Sequence, residues 1–260
     1  MKKFILEACV DRVESAIIAT RAGANRLELC SNLIIGGTTP TKPLFEEVKK
    51  TCKNRIHVLI RPRFGDFCYS DYEFQICLKE VEQFRRLQAD GIVIGVLQPD
   101  GKLDERRMGQ LIEAAGSMSI TLHRAFDVCV DPMEAYETAK KLGIDTILTS
   151  GQKNSCLEGM DCIKQLVEKS HSDQRSGQKY VDILVGSGVK SQVIQTLYEK
   201  TRATSYHMSG KEVIESKMQY KKEDVHMGLD AFSEYGIWQT KEEEIERAVA
   251  VLQELEKNKN

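Results

Sequence analysis

Short apolar runs alternate with longer amphipathic stretches along the whole chain. The runs are rich in aliphatic and β-branched residues, which is typical of buried strands. The stretches between them carry apolar residues at the three- and four-residue spacing of one helix face. Eight strands are predicted, at 4–10, 25–30, 56–63, 91–97, 119–126, 145–151, 180–186 and 203–210, and a predicted helix follows each of them.

Eight strand–helix units predict a closed parallel (β/α)8 TIM barrel, and 260 residues is a common length for one such domain. Glycines just before the next strand mark helix ends in RAGANRLEL, KKLGIDTIL and LQADGIVIG, because glycine readily takes the left-handed conformation that stops a helix. The competing architecture is an open doubly wound sheet, but eight even units favour closure. We therefore expect one domain over residues 1–260.

Two segments depart from the repeat. Residues 171–179, HSDQRSGQK, predict a polar surface turn before the seventh strand. Residues 211–239 predict an unusually long loop between the eighth strand and its helix. Such loops lie at the carboxyl-terminal face of a barrel, where sites are built, so this loop is a candidate lid. A poorly ordered insertion is the alternative interpretation.

Composition excludes several classes of protein. Lysine and arginine number 37 against 39 acidic residues, and a net charge of −2 argues against a nucleic-acid partner. No apolar run approaches the roughly 18 residues of a membrane span. The N-terminal stretch lacks the long apolar region of a secretory signal. Eight cysteines without a signal peptide or a CxxC pair predict reduced thiols in a cytoplasmic protein. The oligomeric state stays open, a homo-oligomer included.

The first two predicted strands alternate apolar residues with a carboxylate and a thiol. Residues two apart in a strand share a face, and the face under the helices of a barrel must be apolar. The polar faces should therefore point into the barrel and bring both thiols to its carboxyl-terminal mouth. The two inward sets are Ile5, Glu7 and Cys9 on the first strand and Arg26, Glu28 and Cys30 on the second.

The third and fifth predicted strands add basic residues to this interior. Glu7, Glu28, Arg61 and His123 make a charged interior, and buried charges are costly unless they are paired, so the two acids and Arg61 should form a network. Such a network could be a purely structural layer of ion pairs, and that interpretation stays open. The third strand contributes His57, Arg61 and Arg63, and the fifth contributes His123 and Asp127, with Arg124 at the opposite parity unless the strand ends there.

Cys9 and Cys30 are candidate ligands of a soft metal. Thiolates favour Cu(I) or zinc, and two thiols are too few for a structural zinc site, whereas Cu(I) accepts low coordination. Neighbouring strands lie about 4.8 Å apart, and two sulfurs bound to one ion at about 2.3 Å can be up to about 4.6 Å apart. Closure would bring His207 and Met208 near as further ligands. Two ordinary core cysteines are the alternative.

Glycine-containing turns after the last strands are typical of anion binding. Gly186, Ser187 and Gly188 precede a helix, whose dipole favours an anion, and Ser209 with Gly210 follows the eighth strand. In barrels these two turns form the usual phosphate site. A tight turn without a ligand is the other interpretation. No lysine lies at a strand end where a Schiff-base enzyme would need it.

The chain resembles the CutC family of copper-homeostasis proteins. The matching stretches run in order from LEACVDRVESAIIATRAGANRLELCSNLIIGGTTP through IRPRFGDFCYSDYEF, LHRAFDVCVDP, ILTSGQKNSCLEG and SYHMSG to SEYGIWQT. The seventh-strand turn departs from the family pattern, since GSG stands where GGG is common. The resemblance implies a cytoplasmic TIM barrel that handles copper, with Cys9 and Cys30 as Cu(I) ligands. Its other matches in the polar mouth are Glu7, Glu28, Arg61, Arg63, His123, Arg124 and Asp127.

Three functions follow as hypotheses. The first is Cu(I) binding or copper tolerance through the two thiolates, without an assigned catalytic activity. The second is an enzyme of unassigned reaction on a small phosphorylated or carboxylated metabolite, because a copper carrier has no evident need for two arginines, a histidine and an anion turn. The third is an interaction scaffold that binds a partner through its exterior.

Overall fold

The chain folds into a closed barrel of eight parallel strands, which confirms the predicted TIM barrel. The structure is a computed structural model, and it describes residues 3–222, 225, 227 and 232–258. The barrel strands are β1 (Ile5–Val10), β2 (Arg26–Leu29), β3 (Arg55–Leu59), β4 (Gly91–Ile94), β5 (Ser119–Leu122), β6 (Thr146–Thr149), β7 (Asp182–Val185) and β8 (Ser205–Met208). Each strand pairs with the next in sequence, and β8 closes the barrel on β1.

Helices cover the outside of the barrel in the predicted alternation. They are α1 (Val13–Arg21), α2 (Lys42–Thr51), α3 (Asp71–Arg86), α4 (Glu105–Ala115), α5 (Pro132–Leu142), α6 (Met160–Arg175), α7 (Ser191–Thr201) and α8 (Glu242–Lys257). The outward residues of β1 and β2, among them Leu6, Ala8, Leu27 and Leu29, are fully buried in the apolar layer under these helices. None of the described helices is both long and apolar enough to cross a bilayer.

The glycine prediction is right for the ends of α1 and α5, where Gly23 and Gly143 have positive φ, and wrong for the end of α3. Gly143 ends α5 with φ +89°, and its N–H donates to the carbonyls of Ala139 and Lys140. Gly91 instead begins β4, and the left-handed residue after α3 is Gln88. Gly91 is needed for packing, because a Cβ there would lie 2.7 Å from the His57 ring.

Both segments that depart from the repeat contain regular structure. The prediction of a turn over 171–179 is wrong for its first half, because α6 continues to Arg175. Asp173 explains the continuation: it is buried, and it accepts hydrogen bonds from Tyr136 and Lys140 of α5. In the long segment after β8, an antiparallel pair forms from β9 (Lys211–Glu215) and β10 (Gly236–Thr240). Its role as a lid stays a prediction.

Candidate metal centre

The thiols of Cys9 and Cys30 lie side by side at the carboxyl ends of β1 and β2. Their Sγ atoms are 3.8 Å apart, within the separation expected for two ligands of one ion. Cys9 is opposite Glu28 in the strand register, and its thiol donates to Glu28 Oε1 at 3.4 Å. The structure therefore brings both predicted thiols together, with a carboxylate beside them.

An apolar shell encloses the inner thiol. Cys30 is fully buried, and Leu59 and Val93 pack against the pair. Gly37, at φ +85°, passes directly over Cys30: a Cβ on Gly37 would lie 3.3 Å from that of Cys30. Since any larger residue would be strained there, the glycine pair after β2 serves to close the chain over this sulfur.

Both thiols are held in the protonated form at neutral pH. The hydrogen bond with Cys30, burial, and the negative charges nearby raise the pKa of Cys9 well above its usual value. For Cys30 the hydrogen bond from Cys9 lowers the pKa, but burial and Glu28 outweigh it, so the net direction is upward. A metal that binds here must displace these protons, which makes its affinity pH-dependent.

An ion-paired carboxylate orients a histidine next to the thiols. Glu7 of β1 and His207 of β8 are register partners, and Glu7 Oε1 lies 2.8 Å from His207 Nδ1. Arg26 Nε donates to the other oxygen of Glu7 at 2.5 Å. Burial would raise the pKa of Glu7, but Arg26 and His207 together lower it well below its usual value. Glu7 is thus a buried carboxylate that holds His207 by Nδ1, and the same ring has a hydrogen bond with Cys9.

Cys9, Glu28 and His207 form a mixed group of metal-binding side chains. One donor atom from each lies within 4.8 Å of the others. Burial opposes the charged form of His207, but Glu28 and hydrogen bonds to Cys9 and Glu7 raise its pKa well above its usual value. Met208, the other ligand considered from the sequence, has the opposite parity: it pairs with Ala8 and packs in the outer apolar layer.

Four residues of the predicted polar mouth tie loops together. Arg61 follows the end of β3, and its guanidinium donates to the carbonyls of Gly36, Gly37 and Gly65 at 2.9–3.2 Å. The others hold the rim: Arg63 pairs with Glu73 and Asp66, Arg124 pairs with Asp127, and Asp127 accepts from Thr149 and Ser150.

His123 is a neutral, buried histidine just beyond β5. The strand ends at Leu122, and a short 3₁₀ turn follows over Arg124–Val128. Arg124 therefore lies outside the strand, and the alternation of inward and outward faces does not apply to it. The N–H of Ala125 donates to His123 Nδ1 at 3.1 Å, so Nε2 carries the proton. Within the described residues Nε2 has no hydrogen-bond partner. Burial first, and then the charge of Arg61, lower the pKa of His123 to about 3.

This histidine makes folding sensitive to acid. Between its usual pKa of 6.5 and about 3, the unfolded chain binds a proton that folded His123 refuses, so stability falls as pH falls through that window. Going from about pH 7.5 to about 5.5 should cost about 1.4 kcal/mol at this residue. Urea unfolding at both pH values should show His123→Gln losing about that much less than the parent protein. Equal losses in the two proteins would contradict a neutral His123.

The predicted anion turns face one cavity at the barrel mouth together with the metal-binding group. The cavity has a volume of about 920 Å³, and Ser187, Gly188, Ser209 and Gly210 line it beside Cys9, Glu28 and His207. Ser187 and Gly188 have φ values of +65° and +80°, so this turn is a tight left-handed one. Gly186 lies under it, where a Cβ would meet Leu148 at 2.6 Å. Anion binding by these turns stays a prediction.

Sequence reasoning underestimated Arg26, Lys190 and Lys211. The alternation of β2 placed Arg26 inward, which was the available signal for its pairing with Glu7. Lys190 and Lys211 also line the cavity, but they lie where α7 and β9 begin, in segments that the sequence predicted as loops without a periodicity that gives a direction.

A closed barrel with a thiol, carboxylate and imidazole group at its carboxyl-terminal mouth defines a TIM-barrel protein with a candidate metal site. The chain belongs to the CutC family, whose model matches residues 4–212. A CutC family protein of Bacteroides fragilis is 43% identical over 231 residues, which is 88% of each chain. The mouse copper homeostasis protein cutC homolog is 40% identical over 235 residues, covering 90% of this chain and 84% of that protein.

A solved structure supports the same assignment. The crystal structure of a CutC protein from Streptococcus agalactiae superposes with a TM-score of 0.73 at 29% identity, covering 79% of this chain and 98% of that one. Phosphoribosylanthranilate isomerase from Thermotoga maritima shares the barrel, with a TM-score of 0.57, but at 8% identity it shows the fold alone.

Proposed function

We propose that this protein binds Cu(I) through Cys9 and Cys30 and serves copper homeostasis in the cytoplasm. The observation that carries the proposal is the 3.8 Å separation of the two Sγ atoms. Two thiolates at about 2.3 Å from one ion span up to about 4.6 Å, so this pair needs little movement to bind. Soft sulfur ligands at low coordination number suit Cu(I) better than the harder divalent ions.

The surroundings of the pair support a reduced copper ion. Leu59 and Val93 keep water from the inner sulfur, and an apolar shell of this kind controls solvent access to a bound metal. All eight cysteines are free thiols, which fits a reducing compartment. The names of the mouse and human relatives, copper homeostasis protein cutC homologs, point the same way.

A Cu(I) titration under anaerobic, reducing conditions tests the proposal. With a chromophoric Cu(I) chelator as competitor, we expect one tight Cu(I) per chain in the parent protein. The double variant Cys9→Ser, Cys30→Ser should lose that site, while Cys162→Ser, a half-buried thiol on α6, should keep it. Chelator competition by the double variant that matches the parent protein would refute the proposal.

An enzyme acting on a small anionic metabolite is the second candidate function. The cavity is far larger than one copper ion needs, and small-molecule sites commonly occupy about 300–1,000 Å³. Six lysine and arginine side chains line it against three carboxylates, which favours a phosphorylated or carboxylated ligand.

A further inference from the structure

We infer that Cys9, Glu28 and His207 form a second metal-binding mode, for a divalent ion of the zinc class with one coordination position open to the cavity. This inference does not rest on copper binding. It shares Cys9 with the proposed Cu(I) site, but it replaces Cys30 by a carboxylate and an imidazole.

The donor set fits such an ion. Zinc in catalytic sites takes three protein ligands from cysteine, histidine and carboxylate groups, with the fourth position left to water or substrate. Tetrahedral bonds of 2.0–2.3 Å place ligand atoms roughly 3.3–3.8 Å apart. Cys9 Sγ and Glu28 Oε1 are 3.4 Å apart, and all three donor atoms fall within 4.8 Å. A carboxylate oxygen is a poor ligand for Cu(I) but an ordinary one for a divalent ion.

An unsatisfied carboxylate oxygen within the group points to a missing ligand. Glu28 is 4% exposed, and its Oε2 is buried without a hydrogen-bond partner among the described residues. A buried carboxylate oxygen in that state is costly, and coordination to a cation would remove the cost. The two thiols do not supply this, because the Cys9 thiol donates to Oε1.

The groups behind the ligands are arranged as in metal sites. Glu7 engages His207 Nδ1 at 2.8 Å and is itself held by Arg26, which fixes the orientation of the ring beside Cys9. A carboxylate behind a ligating histidine is the common arrangement around zinc, because it fixes the tautomer and raises the basicity of the ligand. A structural ion pair alone would not require the imidazole to face Cys9 and Glu28.

Access separates this mode from the copper mode. Cys9, Glu28 and His207 all line the 920 Å³ cavity, whereas Cys30 lies behind them under Gly37 and Leu59. An ion entering from the mouth meets the three mixed ligands first, and its open position faces a cavity lined by Lys190 and Lys211. The ion would act as a Lewis acid on an oxygen of a small phosphorylated or carboxylated ligand.

Cobalt(II) is the probe, because its visible spectrum reports thiolate coordination and ligand number. We expect the parent protein, titrated with Co²⁺ under reducing conditions, to develop a thiolate-to-cobalt band and the intense visible bands of a four-coordinate ion. Zn²⁺ should displace the cobalt. Adding azide should shift the visible bands, because it enters the open position.

Two matched variants make the test selective. Glu28→Gln should weaken Co²⁺ binding about 100-fold, because it removes a charged ligand, and should leave Cu(I) binding within about threefold of the parent. Cys30→Ser should weaken Cu(I) binding by a similar factor and leave Co²⁺ binding close to that of the parent. Cu(I) binding by Glu28→Gln also shows that this variant is folded, and if it does not fold, Glu28→Ala and His207→Gln are titrated instead and should weaken Co²⁺ binding by a similar factor.

Three results would overturn the inference. The first is that the parent protein shows no thiolate-to-cobalt band at excess Co²⁺. The second is that the parent and Glu28→Gln bind Co²⁺ with equal affinity. The third is that azide leaves the visible cobalt bands unchanged. A parent protein that binds Co²⁺ as expected but has no tight Cu(I) site, or a Cys30→Ser variant that keeps that Cu(I) site, would refute the copper proposal alone.

Discussion

Replacing Glu7 with alanine is expected to lower the free energy of unfolding by about 3–5 kcal/mol. Glu7 is fully buried between the guanidinium of Arg26 and the ring of His207, at 2.5 Å and 2.8 Å. Removing the carboxylate leaves both partners inside the barrel without their counter-charge, and breaking a buried pair costs more than the pair itself contributes. The depressed pKa of Glu7 has the same origin, since both neighbours favour the ionised carboxylate.

Urea unfolding at neutral pH measures this loss, and the chain offers a matched control. Glu14 also pairs with an arginine, Arg12, at 3.4 Å, but its side chain is 59% exposed. An exposed pair contributes about 0–1 kcal/mol, so Glu14→Ala should change stability little. If Glu7→Ala unfolds at the same urea concentration as Glu14→Ala, the account of the buried network is wrong.

Cys9→Ser is expected to weaken both Cu(I) and Co²⁺ binding, each by about 100-fold or more. Substituting groups that only support metal ligands already costs about 10–100-fold, and Cys9 is a direct ligand in both proposed modes. It is the only side chain common to the thiol pair at 3.8 Å and the mixed group within 4.8 Å. Cys30→Ser should therefore mimic Cys9→Ser with Cu(I) but not with Co²⁺.

Parallel competition titrations of the parent and these two variants measure the effect. Cys162→Ser should bind both ions as the parent does, because this thiol lies on α6 and is not among the residues that line the cavity. Wild-type affinity for either ion in Cys9→Ser would show that the ligand assignment is wrong for that ion.

The barrel and the direction of its polar side chains were predictable from the sequence. The alternation of β1 and β2 can be assigned to the inner and outer faces in one way only, because the face under the helices must be apolar. The polar set lies on the inner face: Glu7, Cys9, Glu28 and Cys30. Closure of eight strands also placed β8 beside β1, which is why His207 was expected near the thiols.

Strand ends and loop contacts were not predictable in the same way. The runs extend beyond the strands at β3 and β5, so Arg61 and His123 lie in connections whose hydrogen bonds depend on distant segments. Asp173 shows the same limit, since only its buried contact with α5 explains why a polar stretch stays helical. The alternation of β2 predicts the face on which Glu28 lies. It does not predict that the Glu28 carboxylate lies 3.4 Å from the Cys9 thiol, so the mixed metal-binding group could not be predicted from the sequence.

X-ray absorption at the copper edge of the Cu(I)-loaded protein tests the central claim most directly. We expect two sulfur neighbours per copper in the parent protein, and one in Cys30→Ser loaded at the same stoichiometry. An edge region typical of Cu(I) in low coordination should accompany them. A first shell made of nitrogen and oxygen alone, or a spectrum unchanged by Cys30→Ser, would contradict the thiol-pair site.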